Sequence, residues 1–240
     1  LRVGLINESG KIRASVFRTV RYLIKKQEDV LSMNKLYYPY LIARSLDINM
    51  RNDMERLQAL RLVRRALSVA PKHFSPILAS CLISLLAGDE KKGEDRACCL
   101  FLAILCELGV LNTQLFIAFG GVGALARSVM TRVGPAIVEA TVGVLLMLLN
   151  DPETRDTVSL QSFAAPFTEL TPTSDRGRQK QKIRLAVGKQ ALLSILRSFP
   201  GIMSFCHPDQ PSGFKSICDI LYVGQLEPRG SVLKLLYHLL

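Results

Sequence analysis

The chain has 240 residues, with 31 Lys and Arg against 20 Asp and Glu, and 49% of its side chains are hydrophobic. A positive mean hydropathy and only 21% charged residues exclude a disordered, collagen-like or low-complexity chain. The length allows one large domain, two small ones or a repeat array, and a formal charge of +11 favours anionic partners.

In chain order, no signal-peptide pattern opens the sequence at Leu1. Both ends read as cut from a longer chain. Arg13-x4-Arg18 leads into an apolar run through Val20, Leu23 and Ile24, and a helix is expected over Asn34–Leu46. In Asp53–Ala70 the residues Leu57, Leu60, Leu62, Val63 and Leu67 cover an arc of roughly 220° at helical periodicity, with Gln58, Arg61 and Arg65 on the remaining side. A surface helix needs an apolar face of only about 100°, so this helix is expected to be packed from two sides. Further helices are expected over Phe74–Ala87, Ala97–Leu108, Leu115–Met130 and Ile137–Leu149, with breaks at Gly88, Gly93, Gly134-Pro135, Pro200-Gly201 and Pro208. The longest apolar runs, Ala97–Cys106 and Ala140–Leu149, have ten residues each. A membrane span needs about 20.

The helices recur. Arg13-x4-Arg18 overlays Arg56-x4-Arg61 at an offset of 43, and Leu60, Leu100, Val142, Leu192 and Leu233 continue in steps of 40, 42, 50 and 41. Steps of about 40–47 residues are the armadillo/HEAT range. The expected fold is therefore all-α, an armadillo/HEAT-like α-solenoid of five to six helical repeats forming one domain over residues 1–240. The long step holds a surface loop at about residues 151–182, rich in proline and polar residues.

Chemistry is sparse. Gly121-Val122-Gly123-Ala124-Leu125-Ala126 fits a dinucleotide fingerprint, with Leu115–Phe119 as its strand and Glu139 as the ribose acid. A nucleotide-binding oxidoreductase is the rival reading, but nothing else alternates as βαβ units must. A Gly-Gly turn leading into a packing helix explains the same residues. No C-x-x-C, P-loop or G-x-S-x-G occurs, and His73, His207 and His238 are far apart. No catalytic residue, metal ligand, cofactor or small-molecule substrate is expected, and an enzyme is not. The six cysteines read as reduced, buried thiols of a cytoplasmic protein.

Charge says more. Residues 1–100 hold 18 basic and 10 acidic side chains, with Arg56, Arg61, Arg64, Arg65 and Lys72 the densest group. With 7% aromatic residues and no Trp, base-stacking platforms are poorly supplied, so an acidic protein partner is favoured over nucleic acid. The candidate interaction surface is Arg61, Arg64 and Arg65 with the cluster Tyr37, Tyr38 and Tyr40. For the tyrosines, packing between repeats is the competing role.

Several segments resemble the N-terminal helical-repeat region of the Rictor/pianissimo family, the rapamycin-insensitive companions of TOR. They are Arg21-Tyr22-Leu23-Ile24, Tyr40-Leu41-Ile42-Ala43-Arg44-Ser45-Leu46-Asp47-Ile48 and, most specific, Glu55-Arg56-Leu57-Gln58-Ala59-Leu60-Arg61-Leu62-Val63-Arg64. Cys106-Glu107-Leu108, Gly120-Gly121, Leu148-Leu149-Asn150 with Thr154-Arg155, and Ala165-Pro166-Phe167-Thr168 follow in the same order. The resemblance implies a non-catalytic scaffold subunit of TOR complex 2 whose repeats help hold the TOR kinase and the Sin-type subunit. A generic armadillo adaptor for an acidic partner is the alternative.

Overall fold

A computed structural model describes residues 1–46, 52–87, 96–131, 135–158, 175–207, 213–222, 224 and 226–239. Among the described residues there are thirteen α-helices, three short 3-10 turns and no strand, so the protein is an all-α helical-repeat fold. The chain divides into two compact units, Leu1–Ala124 and Leu125–Leu240.

The first unit contains α1 (Gly10–Leu23), α2 (Gln27–Lys35), α3 (Tyr38–Leu46), α4 (Asp53–Val69), α5 (Pro76–Ala87), α6 (Arg96–Leu111) and α7 (Thr113–Ala118); α8 (Gly121–Thr131) starts at its end. α4 packs on α1 on one side and on α6 on the other, which makes one layer. The second layer runs from α3 to α5 to α7, and α3 and α5 also lean on α4 and α6 respectively. This is the two-layer stacking that successive repeats require. It explains the broad apolar arc of α4, where Leu60, Leu62, Val63 and Leu67 are fully buried between two neighbours. Gln58, placed on the polar side by periodicity with Arg61 and Arg65, is buried, while those two arginines stay exposed.

Local chemistry sets the ends of these helices. Asp29, in the first turn of α2, accepts hydrogen bonds from the backbone N–H groups of Lys25 at 2.9 Å and Lys26 at 2.8 Å. These bonds hold its carboxyl below the ordinary aspartate range. Asn112 caps α7 by accepting from the Leu115 N–H at 3.2 Å.

The repeat period is visible in the bonds between neighbours. In the first unit, side-chain hydrogen bonds between repeats join positions 39–43 apart. Arg13 pairs with Glu55, Arg64 with Glu107, and Arg65 Nε donates to the Ile24 carbonyl at 3.0 Å. Asn34 and Asn112 donate to the carbonyls of His73 and Pro71, at 3.0 Å and 2.8 Å, in the corner between α4 and α5. Each link runs from one repeat to the next.

The second unit contains α9 (Pro135–Asn150), α10 (Asp175–Leu196), α11 (Phe199–Phe205), α12 (Gly213–Ile220) and α13 (Leu226–Leu239). α10 packs on both α9 and α13. The last carbonyls of α9 are closed by Thr154 Oγ1, which donates to Leu148 at 2.7 Å, and by Arg155 Nε, which donates to Leu149 at 3.0 Å. Ser198 joins α10 to α11: its hydroxyl donates to the Ile195 carbonyl at 2.7 Å and accepts from Gly201 N–H at 3.1 Å.

The anchors Leu60, Leu100, Val142, Leu192 and Leu233 all fall within helices, namely α4, α6, α9, α10 and α13. Five expectations need adjusting. The helix over Asn34–Leu46 is the end of α2 and the whole of α3, separated at Leu36-Tyr37, where Tyr37 takes a left-handed backbone angle. The helix over Leu115–Met130 is two helices, separated at Phe119-Gly120. The break near Pro200 comes earlier, at Ser198, and Pro200-Gly201 open α11, where proline's missing N–H costs nothing. Residues 175–182, read as the end of the inserted loop, are the first turns of α10. Residues 159–174, Gly88, Gly93, Gly134 and Pro208 lie outside the described residues. The cysteines form no disulfide, but they are not uniformly buried, since Cys99 on α6 and Cys206 just past the end of α11 are exposed and only Cys106 is buried.

Candidate functional site

Three of the candidate residues converge. Arg61, Arg64 and Arg65 of α4 line an open groove of about 670 Å³ together with Arg21 of α1. Its apolar part is Leu57 of α4 with Leu100 and Leu111 of α6, and Ser68 and Glu107 complete it. On α4 the lining positions fall at intervals of three and four residues, which places them on one helix face. The same face recurs one repeat later: Leu57 and Leu100 are 43 residues apart, as are Ser68 and Leu111. Arg21, Arg64 and Glu107 form a series with that same step, so the groove is one face of three consecutive repeats.

The arginines are not equivalent. Arg64 is engaged, with Nε donating to Glu107 Oε1 and Oε2 at 2.8 Å and 3.1 Å and a further short contact to the same carboxylate. That hydrogen bond raises the Arg64 pKa further, against a smaller opposing effect of burial. Arg65 is half-engaged, since its Nε closes the C-terminus of α1 at Ile24 and its remaining N–H donors point elsewhere in the same guanidinium fork. Arg61 is exposed and makes no ion pair or hydrogen bond among the described residues. Arg21 is half-buried, its guanidinium 5.0 Å from the Tyr22 ring centroid. Hydrogen bonds from Arg18 and Arg21, and then their charges, hold the Tyr22 hydroxyl below the usual tyrosine range.

The tyrosines separate. Tyr38 is 7% exposed and belongs to the core of the first unit, as packing between repeats would have it. Tyr37 and Tyr40 are exposed, with ring centroids 6.1 Å apart at 47°. Tyr37 has φ +60°, a left-handed residue just past the end of α2 where glycine is the usual occupant. Neither lines the arginine groove. Periodicity missed Arg21 and Glu107 as groove residues, although their 43-residue steps to Arg64 carry the signal.

The glycine fingerprint has a structural explanation. Leu115–Phe119, the strand a dinucleotide site demands, is helix and helix end. Gly120 has φ +77°, a conformation other residues rarely adopt. A Cβ on Gly121 would stand 2.3 Å from the buried Phe116 ring. The pair therefore turns the chain between α7 and α8 and lets the two helices approach. Gly123 has open space around it. Among the described residues no group of three or more His, Cys, Asp or Glu side chains could hold a metal ion, and no helix is long and apolar enough to cross a membrane.

Comparison with known proteins agrees along the whole chain. Residues 1–240 match the family described as "Rapamycin-insensitive companion of mTOR, N-term". The chain is 34% identical over 247 residues to the rapamycin-insensitive companion of mTOR of Mus musculus, and 33% over 247 residues to that of Homo sapiens; each match covers 99% of this chain and 14% of the relative. Protein pianissimo A of Dictyostelium discoideum is 26% identical over 234 residues, covering 90% of this chain and 20% of the relative. The chain thus spans well under a quarter of the length of these relatives. On the match of its full length, the chain belongs to the family of the rapamycin-insensitive companion of mTOR and corresponds to that family's N-terminal region.

Proposed function

We propose that the chain is a non-catalytic helical-repeat scaffold, a platform within a subunit of TOR complex 2 that helps hold the TOR kinase and the Sin-type subunit in growth and survival signalling. The observation that carries this reading is the ladder of bonds between residues 39–43 apart. It stiffens neighbouring repeats into a wall whose outer side chains keep fixed spacing, which is how repeat proteins bind large partners. Support for the kinase as partner comes from relatives named as companions of mTOR; the Sin-type subunit is part of the proposal. The one-domain reading of residues 1–240, with its inserted loop, and the cytoplasmic location belong to the same proposal. Affinity would reside in a few anchors within a broad contact area, with Arg61, Arg64 and Arg65 on the groove and Tyr37 on the corner before α3.

The test is affinity purification of the tagged protein from its own cells, followed by detection of the TOR kinase and the Sin-type subunit. Both are expected to co-purify. Recovery of neither would reject the scaffold reading. A basic groove is also what a generic adaptor for an acidic protein would present, and the same purification separates that case by the partner it returns.

A further inference from the structure

We infer that the groove between α1, α4 and α6 is the docking site of a short acidic peptide segment that also carries apolar side chains. The inference rests on the scaffold reading and deepens it by giving the chemistry of one bound segment.

Four arginines and one carboxylate line the groove, and the carboxylate is consumed by one of the arginines. Arg21 is held against Tyr22, so Arg61 and the outer N–H donors of Arg65 are left to meet a ligand. Arg61 has no hydrogen bond or ion pair among the described residues, while the bond from Arg65 Nε to Ile24 fixes its fork in place. A fork held in advance loses less freedom when it receives a carboxylate. Beside these charges lie Leu57, Leu100 and Leu111, with Leu111 exposed and the other two half-buried. The size falls within the range of ligand clefts, about 300–1,000 Å³, which suits a few side chains of a peptide.

The same residues argue against nucleic acid. A phosphate backbone has no apolar group for the three leucines, and no aromatic side chain lines the groove for a base to stack on.

The experiment measures fluorescence anisotropy of the full 240-residue chain with a fluorescein-labelled peptide of repeated Glu-Glu-Leu triplets. A peptide with every Glu replaced by Gln, one with every Leu replaced by Ser, and a single-stranded RNA of equal length are run beside it. The acidic-apolar peptide is expected to bind best, and both substituted peptides to lose roughly tenfold. Arg61→Glu should weaken the binding roughly tenfold or more. Arg61→Gln should do so to a lesser extent, and Lys11→Glu, on α1 outside the groove, should leave binding unchanged. Glu107→Gln releases Arg64 and should tighten binding a few-fold. An unaltered melting temperature accompanies each variant whose result is counted.

Equal binding of the Glu and Gln peptides, indifference to Arg61→Glu, or tighter binding of the RNA would each overturn the inference. If these occur while the TOR kinase still co-purifies with the protein, the groove assignment fails and the scaffold reading stands. Peptide binding without co-purification would instead uphold the groove assignment and reject the scaffold reading.

Discussion

Two Arg–Glu pairs link successive repeats of the first unit, and they occupy opposite environments. Arg13–Glu55 joins α1 to α4 across 42 residues, and Arg64–Glu107 joins α4 to α6 across 43. The first is enclosed, with side-chain exposures of 11% and 3%; the second stands at 50% and 29%. Arg13 also donates to the carbonyls of Asn7 and Glu8, at 2.6 Å and 2.8 Å, and Glu55 accepts from Asn52 at 3.0 Å. The lone pairs and protons of the enclosed pair are thus nearly all used. The spacing makes both contacts possible, but the surroundings decide what each does. One is a lock inside the stack, and the other borders a surface open to partners.

The comparison breaks most sharply at Glu55. Glu55→Ala leaves Arg13 buried without its counter-ion and should cost about 3–5 kcal/mol of folding stability, read from urea denaturation. Replacing both Arg13 and Glu55 by Leu should cost less than the single change, because no charge is stranded. A double variant as unstable as Glu55→Ala would show that the pair is not acting as a unit.

Acid offers a second route to the same contact. Burial alone would push the Glu55 carboxyl up, but hydrogen bonds from Arg13 and Ser45 and the charges of Arg13 and Arg44 together hold it below the usual range. A carboxyl lowered on folding adds stability that is complete above its unfolded value, roughly pH 4, and is lost as pH falls toward the folded one. Melting curves of the parent protein should therefore decline below about pH 5 more steeply than those of Glu55→Gln. Parallel curves would remove Glu55 from the account.

The enclosed-against-open contrast extends to the glycines. Gly121→Ala drives a methyl into the Phe116 ring and should cost about 1–3 kcal/mol, the usual range for overpacking. Arg64→Ala, at the open pair, should cost only about 0–1 kcal/mol, and less still in high salt. Gly123→Ala fills open space on α8 and should gain up to about 1 kcal/mol, since alanine is the better helix former. Thermal melts rank all three. If Arg64→Ala proved as damaging as Glu55→Ala, the distinction between lock and surface would collapse.

Much of the architecture was legible in the residues. The apolar arc of Asp53–Ala70 announced burial on two flanks, and α1 and α6 provide them. The step of about 43 residues is carried by particular side chains, Arg21, Arg64 and Glu107 among them. What escaped was the consequence of tertiary contact for polar groups. A hydropathy pattern treats Glu55 and Gln58 as solvated, and only the close approach of α1 to α4 encloses them. Tyr37, Tyr38 and Tyr40 look alike as a cluster, yet the phase of α3 sends Tyr38 inward and Tyr40 outward, while Tyr37 stands exposed in the left-handed turn before the helix. The split at Gly120 depends on a single backbone angle. The groove was legible in part, since charge density marked Arg61, Arg64 and Arg65, while the arginine of α1 and the leucines beside them needed three helices to be assembled.

The corner formed by Pro71–His73 has a bearing on how the molecule comes apart. Asn34, from the preceding repeat, and Asn112, from the following one, both hold carbonyls of this one turn. An array whose links between adjacent units are spread along each interface can fray inward from its ends, one module at a time. Here the middle module is clasped from both directions at a single bend, so loosening either flank removes a restraint from the same short segment. The three modules are expected to melt together, as one cooperative block and not as a zipper.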